Sequence, residues 1–154
     1  SFARPDGSYK VVRFTPTPVM CTYLVALIIG PLHYLEQVTK TGLCVRVYVP
    51  TAVPVEQGGF VLELAVKAVA FWERFFEFPF PLPKLDIVGV PELSALGMEN
   101  VGCQVFHLQY LAVHAGVALS RRQRIARLVG HEISHQWFGN IVAIEWWSHL
   151  WLKE

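Results

Sequence analysis

The chain has 154 residues and a net charge of +1, with 53% apolar and only 16% charged residues. Average soluble domains contain about 45–50% apolar and about 25% charged residues, so the composition excludes disorder and the charge balance excludes a nucleic-acid binder. Membrane insertion is also excluded, because the longest apolar stretch, Val19–Leu32, contains Gly30 and Pro31 and is shorter than the about 20 residues of a spanning helix. Since the chain also lacks an initial methionine, we expect it to be a piece of a larger protein.

The first 50 residues have the composition of strands. Tyr9–Phe14, Met20–Ile29 and Leu43–Val49 are rich in Val, Ile and Tyr, and Thr-Pro, Gly-Pro and Thr-Gly breaks separate them. Pro50 and Pro54 then enclose a short polar link, which we interpret as a domain boundary.

Helical periodicity begins after this link. Phe60–Phe78 predicts a helix that is apolar on nearly every side and therefore mostly buried, and the prolines that follow it end the helix. We expect a strand at Lys84–Val90, a loop at Ser94–Gly102 and a second strand near Cys103–Leu108.

A second helix has a readable start. Ser120 and Gln123 form an S-x-x-Q pattern that predicts a capping box, and Gly139-Asn140 is a fitting stop. Glu145–Glu154 has a further helical pattern. We expect four tryptophans to pack these two helices together, namely Trp137, Trp146, Trp147 and Trp151.

The first of these helices carries an H-E-x-x-H motif, His131 to His135. Residues four apart share one helical face, so both imidazoles can reach one ion at Zn–N distances of about 2.0–2.1 Å. Glu132 lies about 100° further round the helix, beside the ion, where it can accept a proton from a metal-bound water. Glu154 follows His135 after eighteen residues and is the candidate third ligand.

This ligand set predicts hydrolysis of an amide bond with one Zn²⁺ per chain. Zinc lowers the pKa of a bound water from about 15.7 to about 7 and polarises a carbonyl. Glu132 can pass the proton on to the leaving nitrogen.

The motifs together resemble a known family. H-E-x-x-H, eighteen residues and then Glu is similar to the gluzincin signature, and HEISHQWFGN with EWWSHLWLKE resembles the zinc aminopeptidases of the alanyl and puromycin-sensitive group. Gly97-Met98-Glu99-Asn100 resembles their Gly-Ala-Met-Glu-Asn exopeptidase motif. The segments at 21–30 and 79–93 are similar to that group as well, so the resemblance covers nearly the whole chain.

The resemblance implies a fold. It is α+β, with residues 1–52 the C-terminal part of a β-rich, saddle-like domain. Residues 53–154 would then be the front half of a thermolysin-like zinc peptidase domain, a mixed sheet with the H-E-x-x-H helix.

The resemblance also implies roles. His131, His135 and Glu154 would bind zinc, and Glu132 would activate the water. Glu99 would bind the free α-ammonium of a peptide substrate. The backbone of Gly97 and Met98 would lie beside the substrate peptide, in the manner of strand addition.

Four positions depart from the family pattern. Leu96 and Gly97 stand where the family has Gly and Ala, so the amine-binding loop can differ in shape. Val101 replaces a tryptophan, and Lys153 precedes the third ligand where Asn is commoner.

The leading hypothesis is a fragment of a zinc aminopeptidase that acts on peptides with a free N-terminus. Two alternatives remain open: a truncated, non-catalytic domain that binds a metal or a partner, and a zinc endopeptidase. We expect weak or no turnover from the chain alone, because the family's transition-state tyrosine follows the third ligand. Three cysteines without CxxC spacing and the lack of an Asn-x-Ser/Thr site favour a cytoplasmic location.

Overall fold

The structure, a computed structural model, describes residues 2–3 and 10–154, with only the backbone described at residues 2, 3 and 10. Of the strand predicted at Tyr9–Phe14, Tyr9 lies outside the described residues. The strands and α-helices within the described part are β1 Phe2–Ala3, β2 Lys10–Val11, β3 Leu32–Val38, β4 Cys44–Pro50, α1 Gly59–Phe76, β5 Lys84–Val90, β6 Gly97–Met98, β7 Cys103–His107 and α2 Leu119–Ser134. The described chain is therefore α+β, as predicted.

Five of the strands form one mixed sheet in the order β3-β4-β5-β7-β6. β4, β5 and β7 run parallel, while β3 and β6 are antiparallel edge strands. Helix α1 makes the crossover between β4 and β5, as parallel neighbours require. β1 and β2 form a separate antiparallel pair.

Both helices pack on the sheet in one apolar core. β4 buries alternate residues completely, Val45, Val47 and Val49, so one face of that strand meets the helices. Helix α1 contributes Val61, Ala65 and Val69 to the same core, and α2 contributes Ile125, Val129 and Ile133. This packing fixes the C-terminal end of α2, which carries the H-E-x-x-H motif, relative to the sheet.

The strand predicted at Met20–Ile29 is wrong. Thr22–Leu24 is a short 3₁₀ turn, and the rest of that segment has no regular structure. Leu24 is buried, and its carbonyl accepts a hydrogen bond from the backbone N–H of Val101 at 3.2 Å. The segment thus packs on the loop before β7, while β3, which the composition did not indicate, pairs with β4.

The predicted capping box is also wrong. Helix α2 begins at Leu119 with Ala118 as its cap residue, and no side chain caps its first turn. Ser120 therefore lies inside the first turn, and the carbonyl of Ala118 accepts the hydrogen bonds of Arg121 and Arg122.

The terminal segment is not an α-helix. Trp147–Leu152 forms 3₁₀ turns with a break at His149, where φ is −102° and ψ is 16°. Trp137 packs in the core, but Trp146, Trp147 and Trp151 are half or more exposed, so the expected packing of four tryptophans is wrong for three of them. A short α-helix is only marginally stable unless one of its faces packs on the rest of the protein, and Trp147–Leu152 has no buried residue. This explains why the segment forms 3₁₀ turns.

The domain boundary predicted after residue 52 stays a prediction. β4 ends at Pro50, two residues before this boundary, and pairs with β5, which follows the boundary in the chain. Among the described residues, no helix combines the length and the apolarity needed to cross a bilayer.

Candidate metal centre

The end of helix α2 brings the two motif histidines together. The Nε2 atoms of His131 and His135 lie 3.0 Å apart, as the spacing of four residues predicts. The Nδ1 atom of His135 is 3.0 Å from the backbone carbonyl of Phe138. A carbonyl only accepts, so Nδ1 carries the proton and the lone pair of Nε2 points toward His131. Burial lowers the pKa of His135 below its ordinary value, which keeps this imidazole neutral and able to ligate.

Glu154 completes the cluster from the other side. Its Oε2 atom lies 3.4 Å from His131 Nε2 and 3.8 Å from His135 Nε2. The 3₁₀ turn before it sets this position, because the backbone N–H groups of Lys153 and Glu154 both donate to the carbonyl of Leu150. Burial alone would raise the pKa of Glu154, but the hydrogen bond and charge of Lys153 lower it below its ordinary value.

These three donors fit a zinc ion. In a tetrahedral site with bonds of about 2.0–2.1 Å, ligand atoms lie about 3.4 Å from one another. The separations here are 3.0, 3.4 and 3.8 Å. Two imidazoles and one carboxylate are also the donor set of catalytic zinc sites that keep one position open. His131 and Glu154 are partly exposed, so solvent reaches this side of the cluster.

Glu132 lies beside this cluster and is buried, with 5% of its surface exposed. Burial, and then the negative charges of Glu99 and Glu154, raise the pKa of Glu132 to about 8. Its side chain lies against Gly97, where an added Cβ would be 2.5 Å from Oε1 of Glu132. Glu132 is therefore largely closed off from solvent, directly beside the candidate ligands.

Glu99 is brought next to Glu132. One ligand atom from each of Glu99, Glu132 and His135 fits within 4.8 Å of the others. The Glu99 carbonyl accepts hydrogen bonds from the side-chain amides of Gln136, at 3.0 Å, and Asn140, at 2.9 Å. The Glu99 carboxylate is buried and accepts a hydrogen bond from the Nζ of Lys153.

Gly97 and Met98 form β6, an edge strand of the sheet. They pair antiparallel with Phe106 and Val105 of β7, and within the described residues no strand lies on their other side. An extended peptide can add to such an edge through its backbone, and the substrate-binding role of these two residues stays a prediction.

The polar residues that support this site escaped the sequence analysis. Gln136 accepts a hydrogen bond from the N–H of Gly102 at 3.0 Å, and Gln104 donates to the carbonyl of Glu132 at 2.5 Å. Both glutamines are buried. A buried amide has no periodic signature in a sequence, although Gln136 directly follows the motif. The arrangement as a whole joins a metal ligand cluster, a buried base and a second buried carboxylate beside a sheet edge.

Comparison with known proteins places this arrangement in a family. The sequence model described as "Peptidase family M1 domain" matches residues 60–154. The chain is 41% identical to "Aminopeptidase M1" of Arabidopsis thaliana over 97% of its length, and 35% identical to "Aminopeptidase N" of Homo sapiens over 97%. "Puromycin-sensitive aminopeptidase" of Caenorhabditis elegans is 41% identical over 97% of the chain. The chain spans 16–17% of the length of these curated relatives. The match over residues 60–154 shows that this chain belongs to peptidase family M1.

Proposed function

We propose that this chain carries the zinc centre and the amine-binding carboxylate of an aminopeptidase that removes N-terminal residues from peptides. The observation that carries the proposal is the separation of 3.0 to 3.8 Å among the donor atoms of His131, His135 and Glu154, with Glu132 buried beside them. The three relatives named above are all aminopeptidases by name, which supports the same function.

In this proposal, His131, His135 and Glu154 hold one zinc ion. When bound, zinc supplies a water of lowered pKa and polarises the scissile carbonyl. Glu132 accepts the proton of the attacking water at its carboxylate and donates it to the leaving nitrogen. Burial and the neighbouring carboxylates raise the pKa of Glu132 in the zinc-free protein. The charge of a bound Zn²⁺ would lower it, so that the carboxylate is ionised and can accept this proton.

Glu99 and β6 orient the substrate. The buried Glu99 carboxylate attracts the α-ammonium of a free N-terminus, and the backbone of Gly97 and Met98 binds the peptide as an added strand. Because Glu99 and Glu132 lie so close together, an amine bound to Glu99 leaves the first peptide bond near Glu132. This arrangement favours removal of a single N-terminal residue over cleavage within a chain.

The test uses the protein that carries this chain and two fluorogenic substrates, leucyl-aminocoumarin and its N-acetylated form. An aminopeptidase hydrolyses the first and rejects the second, because an acetylated amine carries no charge for Glu99. Glu132→Gln should reduce kcat at least about a hundredfold with zinc retained. Glu92→Gln, which changes an exposed carboxylate outside the motif, is the matched control and should keep its activity.

The other results identify the alternatives. Hydrolysis of acetylated peptides at internal bonds would assign a zinc endopeptidase. Zinc binding without hydrolysis of either substrate would assign a non-catalytic metal-binding domain. Full activity of Glu132→Gln would contradict the role of that residue.

A further inference from the structure

Lys153 occupies a closely fitted position beside the candidate centre. Its side chain is 4% exposed, and its Cδ atom lies close enough to Gly139 to contact a Cβ there. The ammonium donates to the Glu99 carboxylate and, at 2.8 Å, to Oε1 of Glu154. The ring of Tyr23 lies 5.7 Å from Nζ, within the range of a cation–π contact. A lysine with so many partners is part of the site and not a surface side chain.

The position of this ammonium bears on substrate binding. Glu99 is 7% exposed at its side chain, so its attraction for a cation is only weakly screened by solvent. Lys153 already satisfies that attraction with a primary ammonium, the same chemical group as the N-terminus of a peptide. A substrate amine that reaches Glu99 therefore meets a second positive charge within a few ångströms, and such like-charge contacts are costly when desolvated.

We propose that Lys153 is a specificity-determining residue: its ammonium competes with the substrate's α-ammonium for Glu99 and so weakens the preference for a charged N-terminus. The proposal rests on the proposed function, which assigns Glu99 to the substrate amine. Lys153 stands at the position before Glu154 where the family pattern commonly has Asn. A substrate with a neutral N-terminus does not compete with Lys153 for Glu99, so this pairing imposes no penalty on it.

The experiment measures discrimination with a matched pair of substrates in the protein that carries this chain. Leucyl-aminocoumarin has the α-ammonium, and 4-methylpentanoyl-aminocoumarin has the same carbon skeleton without it. The ratio of their kcat/KM values reports the amine subsite, because both substrates use the same zinc and the same base. Lys153→Met, which keeps the stem beside Gly139, should raise this ratio at least about tenfold, mainly through a lower KM for the leucyl substrate.

Two control variants separate charge from structure. Lys153→Arg keeps the positive charge and should keep the wild-type ratio. Lys67→Met removes a lysine from the exposed face of α1, where it pairs with Glu63, and should leave the ratio unchanged. If Lys153→Met does not fold, Lys153→Gln removes the charge while it keeps a donor for Glu99.

A binding measurement separates this proposal from the function on which it rests. Calorimetry with leucinamide reports amine affinity without turnover, and Lys153→Met should bind it at least about tenfold more tightly. Wild-type protein that hydrolyses neither substrate while leucinamide binding tightens in the variant would overturn the proposed function alone. An unchanged ratio and unchanged leucinamide affinity would overturn the role of Lys153. Loss of folding or zinc in both the Met and Gln variants would assign Lys153 a structural role and would also overturn it.

Discussion

The buried position of Glu132 strongly changes the pKa of its carboxyl group. Burial and the charges of Glu99 and Glu154 raise its pKa from 4.5 to about 8. In the zinc-free folded protein, Glu132 therefore keeps a proton that the unfolded chain releases between these two pH values. The stability of the zinc-free protein should fall as the pH rises through this window, with the whole penalty present above about pH 8.

Glu132→Gln removes that penalty, since glutamine does not ionise. With a chelator present, the variant should exceed wild type in Tm at pH 9 by clearly more than it does at pH 5. Thermal unfolding followed by circular dichroism measures both values. Glu92→Gln is the control for loss of a carboxylate, and an equal gain at both pH values would show that Glu132 is not protonated in the folded protein.

Gly97 is the residue where the lack of a side chain matters most. A Cβ there would lie 2.5 Å from Oε1 and 2.8 Å from Cδ of Glu132. The family pattern has alanine here, but in this chain the Glu132 side chain fills the space that a Cβ would take. Gly97→Ala should therefore displace the Glu132 carboxylate, cost about 1–3 kcal/mol in the free energy of unfolding, and lower kcat.

Urea unfolding measures the cost at Gly97. Gly130→Ala is the matched control, because a Cβ at Gly130 meets nothing within 4 Å, and alanine is the better helix former by about 1 kcal/mol. That control should stabilise the protein. A neutral or stabilising Gly97→Ala would mean that Glu132 does not lie against the β6 backbone.

At this scale, the sequence was most informative where spacing defines geometry. The interval between His131 and His135 is enough to predict that their Nε2 atoms meet, because a helix fixes the distance between residues four apart. Spacing does not predict the pairing of Lys153 with Glu99, because these residues are 54 positions apart and meet only through tertiary packing.

At the scale of elements, Gln136 joins the end of α2 to the loop before β7. Its side chain accepts from the N–H of Gly102 and donates to the carbonyls of Glu99 and Asn100. Gln136→Leu leaves the buried N–H of Gly102 without its acceptor and removes one of the two side-chain amides that donate to the carbonyl of Glu99, so it should destabilise the protein by about 1–3 kcal/mol. The loop that carries Glu99 should also loosen, which raises KM for substrates with a free amine.

Denaturant unfolding and steady-state kinetics together measure this effect. Gln123→Leu, on the exposed side of α2, is the control and should leave both values close to wild type. Destabilisation without a change in KM would show that Gln136 supports the fold but does not position Glu99.

The local sequence pattern predicted some strands correctly and others not. Lys84–Val90 was predicted with the bounds of β5, because a run rich in Leu, Ile and Val between proline-containing turns is typical of a buried strand. Strand β3 was missed, because an edge strand such as Leu32–Val38 is half exposed and carries polar residues. Met20–Ile29 has strand composition but lies on the loop before β7, where no described strand pairs with it.

At the scale of the whole molecule, apolar side chains remain exposed in several regions of the described chain, two of which are residues 19–29 and 146–151. Val19, Leu27 and Ile29 are 75% exposed or more, and Trp146 and Trp151 are 68% and 73% exposed. Apolar groups clustered at a surface bind hydrophobic dyes and promote association. The high apolar fraction of the sequence is thus visible in the structure as surface as well as core.

The chain prepared as residues 1–154 should bind anilinonaphthalene sulfonate in its native state. Replacing Trp146 and Trp151 by Gln should lower the dye fluorescence while the free energy of unfolding stays within about 0.5 kcal/mol of wild type, as for other surface changes. Replacement of buried Trp137 is the contrasting variant and should destabilise the fold. Dye binding that does not respond to the double change would show that these tryptophans are covered in solution.

Zinc content tests the candidate centre most directly. The protein that carries this chain, dialysed against trace Zn²⁺ and assayed by mass spectrometry of the metal, should hold one tightly bound zinc per chain. Glu132→Gln should keep that ion, since Glu132 lies beside the cluster, whereas His135→Ala and Glu154→Ala should each lose most of it. Zinc bound to wild type and undiminished in both ligand variants, or no zinc in wild type, would contradict a centre formed by His131, His135 and Glu154.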